Sequence, residues 1–474
     1  MKGSMSDRLE FFIAPAHHPC MMRLFQRARG ASMAAGLAAT LLLAGLPAAG
    51  QTILRDAEIE STFKRLLAPV AAAAGLSASR IDVILIRDSA PNAFVADARH
   101  IVLHSGLVTR LDGPDELQAV LAHELAHIAN GHLARRPANA RRAGLVTGLG
   151  VALGAAMIAA GGGEAGAGVA AGVAGSARNV FLGHTRAEEA SADQSGLAFL
   201  ADAGGEPQAM VRVLEMFAGQ EALSAPRQDP YVRTHPLSRE RLSRVRGYAA
   251  ARSDGDGGAG PELTYWHARA KAKLSAFVGR PSATLSRVGR QGRSDDSDAD
   301  IIARAVALHR LPAPDAAIAQ IARLTGRRPD DAHGHDLRGQ ILLEAGRVDA
   351  AIAAYRRAVS LAPGEALIRA GLGRALLAVG TDGATRKARD ALREARGRAP
   401  ADPAMLRDLA RAHARLDERG QAALVTAERY ALTGRFATAA TQARRARDLL
   451  PRGSPGWLTA GDILAVAEQR EENR

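Results

Sequence analysis

Asp115 to Leu133 reads DELQAVLAHELAHIANGHL, an apolar run interrupted by His123, Glu124 and His127. Side chains four residues apart share one face of a helix, so His123 and His127 can aim imidazole nitrogens at one ion. Glu124, one position along, lies beside that ion and can take a proton from water there. A helix with surface histidines would not place two His and a Glu inside an otherwise apolar VLAHELAHI. The stretch therefore predicts a buried helix carrying a catalytic zinc site, one Zn2+ per chain, with Glu124 as base.

Such a site needs a third protein ligand. The metzincin arrangement would put Gly and His at 130 and 133, where Asn130 and Leu133 stand. Thr185 to Leu200 reads TRAEEASADQSGLAFL, and Glu189 with Asp193 forms an E-x-x-x-D pair on one face of a second helix. Glu189 is the expected ligand, and Asp193, one turn on, would accept a hydrogen bond from a ligand His and set its tautomer. Glu188 is the competing ligand, but it has Ala192 four residues later. His235, in Thr234-His235-Pro236-Leu237, has three open readings: donor to an oxyanion, occupant of the open zinc position at rest, or part of an ordinary turn before a helix. His132, after Asn130-Gly131, is read as lying past the helix end. The strand Ile101 to Leu103 is expected at the edge of the cleft, pairing with extended substrate, and its flanking His100 and His104 are read as surface histidines.

Further out, Arg23, Arg27 and Arg29 precede an uncharged apolar run from Met33 to Leu46, followed by Ala48-Ala49-Gly50. That is the pattern of a secretory signal, so the chain is expected to be exported, with Met21 or Met22 as the start. The single cysteine, Cys20, precedes the signal, so disulfides are not expected in the mature chain. Charged residues at 23% and hydrophobic residues at 47% describe a globular chain, and aromatics at only 4% favour closely packed helices over a β-sandwich. The formal charge of +13 does not signal nucleic acid, because the arginines are scattered over the chain rather than gathered with aromatics. Ala143 to Ala160 is uncharged and long enough to span a bilayer. Its Gly and Ala content argues instead for a helical hairpin over residues 143–177 that touches membrane or partner peripherally.

The polar stretches SDGDGGAG (253–260) and GRQGRSDDSDAD (289–300) divide the chain. The expected organisation is an upstream extension and signal over 1–50, a metallopeptidase domain over 51–252, a linker with a bridging helix (Glu262 to Val278) over 253–297, and helical repeats over 298–474. The repeat is about 34 residues long. Ala305, Ala317, Ile321, Leu324 and Pro329 recur as Gly339, Ala351, Tyr355, Ala358 and Pro363. They recur again as Gly373, Ala388, Leu392, Ala395 and Pro400, and more loosely as Ala427, Tyr430, Ala439, Ala443, Ala446 and Pro451, with Pro403 to Leu416 as an extra helix. This resembles the tetratricopeptide repeat. The expected recruiting face carries His335, Arg338 and Leu342 in one unit and Arg369, Leu372 and Ala375 in the next, and a chain cut near Arg252 is expected to keep its chemistry.

HELAH, the helix carrying Glu188, Glu189, Ala192, Asp193 and Gly196, the Asn92-Ala93-Phe94 stretch, the strand before Ser105-Gly106-Leu107, and Thr234 to Leu237 together resemble the gluzincin peptidases of the HtpX and CAAX-prenyl-protease superfamily. The resemblance covers about Ile53 to Tyr248. It implies an α+β, mostly α chain: a metallopeptidase domain with a small sheet, followed by an α-solenoid of repeats. It implies zinc on His123, His127 and Glu189 with Glu124 as base. Signal, peptidase and repeats in that order resemble the periplasmic members, which implies cleavage of misfolded or stalled envelope proteins and support of outer-membrane protein assembly. The repeats would then recruit substrate or the outer-membrane β-barrel assembly machinery. Two alternatives stand: a repeat-based periplasmic chaperone with dispensable protease activity, and an integral membrane protease of the HtpX kind. Ser191, where many relatives carry an acid, is expected to be peripheral.

Overall fold

A computed structural model describes residues 52–132, 186–224, 227–252, 257–290 and 295–472. The signal and the 143–177 hairpin lie outside the described residues. Among the described residues no helix is long and apolar enough to cross a membrane.

The sheet has four strands, β1 (Thr52–Leu54), β2 (Asp82–Arg87), β3 (Ala93–Asp97) and β4 (His100–His104), in the order β1-β2-β4-β3. β2 and β4 pair in parallel, with Ile84 opposite Val102, and the outer pairs are antiparallel. Ile101, Val102, Leu103 and His104 are all buried, so β4 is covered on both faces. It is also hydrogen-bonded on both sides. The edge strands are β1 and, on the side of α3, β3, not the Ile101 to Leu103 strand expected there from sequence. A continuous apolar run marks a central strand, whereas an edge strand alternates, as β3 does with Ala93 and Val95 buried and Phe94 half-buried.

α1 (Ala57–Ala73) starts at Asp56, whose carboxylate accepts from the backbone N–H groups of Glu58 at 3.1 Å and Ile59 at 3.0 Å. A cap of this kind contributes about 1 kcal/mol. α2 (Ser105–Arg110) leads to α3 (Pro114–Ala129), the helix of the HELAH motif. Pro114 occupies its first position, where no N–H is needed, and Glu116 accepts from Gly113 N at 3.0 Å. Every residue of α3 from Glu116 to His127 is buried, which explains its apolar character all round. α4 (186–202) lies against it. A Cβ on Gly196 would stand 3.2 Å from backbone atoms of Ala122 and His123, so glycine sets the approach of the two helices. α5 (Gln208–Glu215), α6 (Pro230–Thr234) and α7 (Arg239–Arg252) complete this part. Its core joins Leu66, Leu103, Leu121, Leu197 and Phe217.

α8 (Pro261–Val278) is the bridging helix, and a short α9 (Pro281–Val288) follows. Ala270 and Leu274 of α8 belong to the peptidase core, whereas Ala276 belongs to the next core with Ile301, Ile302 and Ile341. The repeats are α10 (Asp298–His309), α11 (Pro314–Arg327), α12 (Ala332–Glu344), α13 (Val348–Leu361), α14 (Ala366–Val379), α15 (Asp382–Arg398), α16 (Pro403–Arg415), α17 (Arg419–Leu432), α18 (Phe436–Leu449) and α19 (Pro455–Glu472). Pro329, Pro363, Pro400 and Pro451 each stand within two residues of a helix end. The recurring small residues are buried, and a Cβ on Gly339 would press into the Tyr355 ring at 2.7 Å. The polar stretch before α10 is not wholly loose: Arg304 pairs with Asp296 at 2.7 Å with both side chains buried. Of the recruiting face expected from sequence, His335, Arg338, Arg369 and Leu372 are half-buried and two residues are internal. Leu342 and Ala375 are buried, Arg338 donates to Thr325, and Arg369 pairs with Glu394 at 3.0 Å.

Candidate metallopeptidase site

α3 and α4 meet at a buried polar cluster. His123 Nε2 and His127 Nε2 stand 3.1 Å apart. The Glu189 carboxylate reaches His123 Nε2 at 3.4 Å and His127 Nε2 at 3.3 Å. His235, in the turn after α6, brings its Nδ1 to 3.2 Å from His123 Nε2 and 3.1 Å from Glu189 Oε2. The donor atoms of these four residues all lie within 4.8 Å of one another. Four donors around a zinc ion at 2.0–2.2 Å would be about 3.3–3.6 Å apart, so separations of this size fit a tetrahedral ion. Glu188, one residue before the carboxylate in the cluster, is half-buried and lies outside it.

The rings are held from behind. His123 Nδ1 lies 3.1 Å from Asp193 Oδ1, which leaves its Nε2 lone pair facing the cluster. His127 Nδ1 lies 2.9 Å from His132 Nδ1. His132, past the helix end as read from sequence, is nevertheless buried behind a cluster residue, because Gly131 at φ 65 turns the chain back over the helix end. His235 Nε2 donates to the Ala93 carbonyl of β3 at 3.1 Å, so its Nδ1 is also free to face the cluster. Thr234 Oγ1 donates to Asn92 Oδ1 at 3.1 Å, tying that turn to the start of β3.

Glu124 is fully buried, and neither carboxylate oxygen has a hydrogen-bond partner; His235 Nε2 is 3.3 Å away. A buried carboxylate without partners is costly unless function retains it. His104, read as a surface residue, is buried with its Nδ1 3.1 Å from the Ala90 carbonyl, while His100 is partly exposed beside Asp97; neither joins the cluster. Ser191 is not idle: Asn130, at the end of α3, donates to its hydroxyl at 3.0 Å and pins α4 in place.

Sequence reasoning misses Arg241 of α7. Its guanidinium grips both Asp193 oxygens at 2.7 and 2.8 Å, reaches Glu189 at 2.9 Å and donates to the carbonyls of His235 and Pro236. An arginine in RERLSR gives no local sign of burial; the available signal is the excess of acids on α4. Burial works against charge at Asp193 and Glu189, but Arg241 and the histidines outweigh it, holding Glu189 well below the usual range and lowering Asp193. Burial also opposes a charged His123, yet Asp193 and Glu189 push it up to about 10, while burial lowers His127. The acids beside His123 thus favour positive charge at that face of the cluster, as a cation site requires.

Two histidines and a glutamate from an HExxH helix and its neighbour, with a buried glutamate beside them, define a metallopeptidase domain, and residues 54–249 match the model of Peptidase family M48. Within the chain, 166 residues are 31% identical to the beta-barrel assembly-enhancing protease of Yersinia pestis, covering 35% of this chain and 34% of that one. A stretch of 225 residues is 28% identical to a putative beta-barrel assembly-enhancing protease of Vibrio cholerae, covering 47% and 45%. The mitochondrial metalloendopeptidase OMA1 of Schizosaccharomyces pombe is 29% identical over 181 residues, 38% of this chain and 50% of that one. The chain thus spans half or less of the length of these relatives. Among solved structures, MamA AMB-1 is similar with a TM-score of 0.31 at 19% identity, over 35% of this chain and 96% of that one. A thermophilic TPR protein of Thermus thermophilus is similar with a TM-score of 0.25 at 19% identity, over 35% and 99%.

Proposed function

We propose that this protein is an exported zinc endopeptidase that cleaves misfolded or stalled envelope proteins in the periplasm and supports outer-membrane protein assembly, its repeats recruiting substrate or the assembly machinery. The observation that carries the chemistry is the convergence of His123, His127 and Glu189 beside a buried, unpartnered Glu124. The names of the beta-barrel assembly-enhancing relatives support the physiological setting.

His123, His127 and Glu189 would hold the ion. Zinc, when bound, polarises a scissile carbonyl and makes water acidic enough to attack near neutral pH. Glu124 takes the proton of the attacking water and hands it to the leaving amine. Asp193 and His132 keep the imidazole lone pairs pointed inward, and Arg241 holds Asp193 and Glu189 in register. β3 is the edge strand beside α3, so extended substrate would add to it through main-chain bonds, a mode that reads backbone more than side chains. His235, with its Nδ1 3.2 Å from His123 Nε2 and 3.1 Å from Glu189 Oε2, would be a fourth donor to the ion at rest and would have to move outward before substrate binds.

Purified protein should carry one zinc, and Glu124→Gln should keep that metal while casein cleavage falls to background. Metal analysis beside a casein digest checks this; substantial cleavage by the variant would refute the assignment of the base.

A further inference from the structure

α16, α17 and α18 border an open groove of about 410 Å3 lined by five arginines, the exposed Arg407, Arg411, Arg419 and Arg445 and the half-buried Arg429, against one acid, the exposed Asp417. Two of the arginines are engaged: Arg419 pairs with Asp417 at 2.7 Å, and Arg407 with Asp408 at 3.2 Å. Asp408 in turn is held by Arg374 at 2.7 Å. Arg411, Arg429 and Arg445, one from each helix, have no carboxylate partner among the described residues. Elsewhere in the repeats some arginines are paired, as Arg389 with Glu418 and Arg396 with Glu428, both at 2.6 Å, and others, such as Arg310 and Arg435, have no carboxylate partner among the described residues. Like charges gathered around a concavity repel one another and raise the local concentration of anions.

We infer that this groove is a docking site for an acidic, extended peptide segment of a partner protein. Its lining between the arginines is Ala410, Ala414, Ala422 and Thr426, small side chains that let a peptide backbone approach closely. Guanidinium groups on three helices suit carboxylates spaced along a strand, because each can form a two-pronged pair. Gln442 and Asp417 can serve the backbone amides. No Phe, Tyr or Trp lines the groove, so the stacking platform that single-stranded nucleic acid needs is missing. A concave site of this kind also fits a flat lipid surface poorly. The site deepens the recruitment part of the proposed function and is independent of the peptidase chemistry.

The test uses the full chain carrying Glu124→Gln, so that the probe is not consumed. A fluorescein-labelled peptide alternating Glu and Asp with Gly and Ser is titrated by anisotropy at about 0.15 M salt, beside the same peptide with Gln and Asn. The acidic peptide should bind at least tenfold more tightly than the neutral one. Arg411→Glu and Arg445→Glu should each weaken it tenfold or more, with unchanged circular dichroism, whereas Arg287→Glu on α9 should leave it unchanged. Equal binding of both peptides, or equal loss with Arg287→Glu, overturns the proposal. So does displacement of the peptide by a single-stranded oligonucleotide or an anionic vesicle at lower concentration. Because the assay reads binding alone, its failure leaves the peptidase reading standing, and an inactive Glu124→Gln with intact peptide binding leaves both.

Discussion

Glu188 and Glu189 are chemically identical neighbours that one helical step separates by about 100°. Only Glu189 faces α3, where it meets His123, His127, His235 and Arg241. Glu189→Gln should therefore lower zinc occupancy sharply, and Glu188→Gln should leave it close to wild type; metal analysis after dialysis checks the pair. That choice was legible in sequence, because an acid four residues on marks the inward face. His235 was not, since a His-Pro turn looks the same whether it caps a helix or reaches an ion. Its Nδ1 lies within hydrogen-bond distance of both His123 and Glu189. His235→Ala should raise basal casein cleavage, because it frees the position that substrate and water must use. If it instead lowers turnover by about a hundredfold, His235 stabilises the oxyanion and the resting arrangement is not inhibitory.

Among elements, the α3–α4 contact and α8 govern what the site tolerates. Adding one methyl at Gly196 presses on α3 backbone at 3.2 Å, and backbone of a buried helix cannot rotate away as a side chain could. Gly196→Ala should cost about 1–3 kcal/mol and lower metal occupancy, since α4 carries Glu189. Thermal unfolding and metal content measured together separate this from a simple loss of fold. The packing of α8 against the peptidase core argues against the expectation that a chain ending near Arg252 keeps its chemistry. Its Arg269 pairs with Glu58 of α1 at 2.7 Å and with Asp331 of α12 at 2.7 Å, and its buried Lys273 meets Asp56 at 2.8 Å. Without α8, Glu58 loses Arg269 and Lys273, and the apolar surface of α1 that Ala270 and Leu274 cover is open to water. A cut at Arg252 should give an unfolded or aggregated product, whereas a cut after Gly289 should fold and bind zinc, as read by circular dichroism and metal analysis. Arg269→Met in the full chain should destabilise by about 3–5 kcal/mol, the usual cost of breaking a buried pair from one side. An amphipathic helix between two polar stretches reads as a spacer in sequence; its charges reveal their purpose only when both neighbours are in place.

At the scale of the molecule, the seam between peptidase and repeats is an ionisable one. Burial pushes the Asp336 carboxyl of α12 up from 3.8 to about 7; Lys273 opposes that shift, and Asp56 and Glu58 reinforce it. An acid whose folded value is raised binds more protons folded than unfolded between 3.8 and 7, so the stability contributed by protonated Asp336 is present below about 3.8, falls as pH rises through that window and is gone above about 7. Asp336→Asn should therefore melt higher than wild type near pH 8, with the difference shrinking toward about pH 4. Melting curves that coincide at every pH would mean that Asp336 does not carry the seam's pH dependence.

By itself the sequence determined the class of each half. HExxH on an apolar helix, the acid pair on a second helix and a 34-residue alternation of small residues and prolines are local patterns, set by helical periodicity and by where proline ends a hydrogen-bond ladder. Only the tertiary structure decided which strand is the edge, which histidines back the cluster, that Arg241 holds it together, and that α8 belongs to two cores. Those are facts about pairs of residues far apart in the chain. Strand order is written in no single strand, and a charge such as Arg241 or Lys273 becomes buried only because its partners, on other elements, offset the cost of taking it out of water.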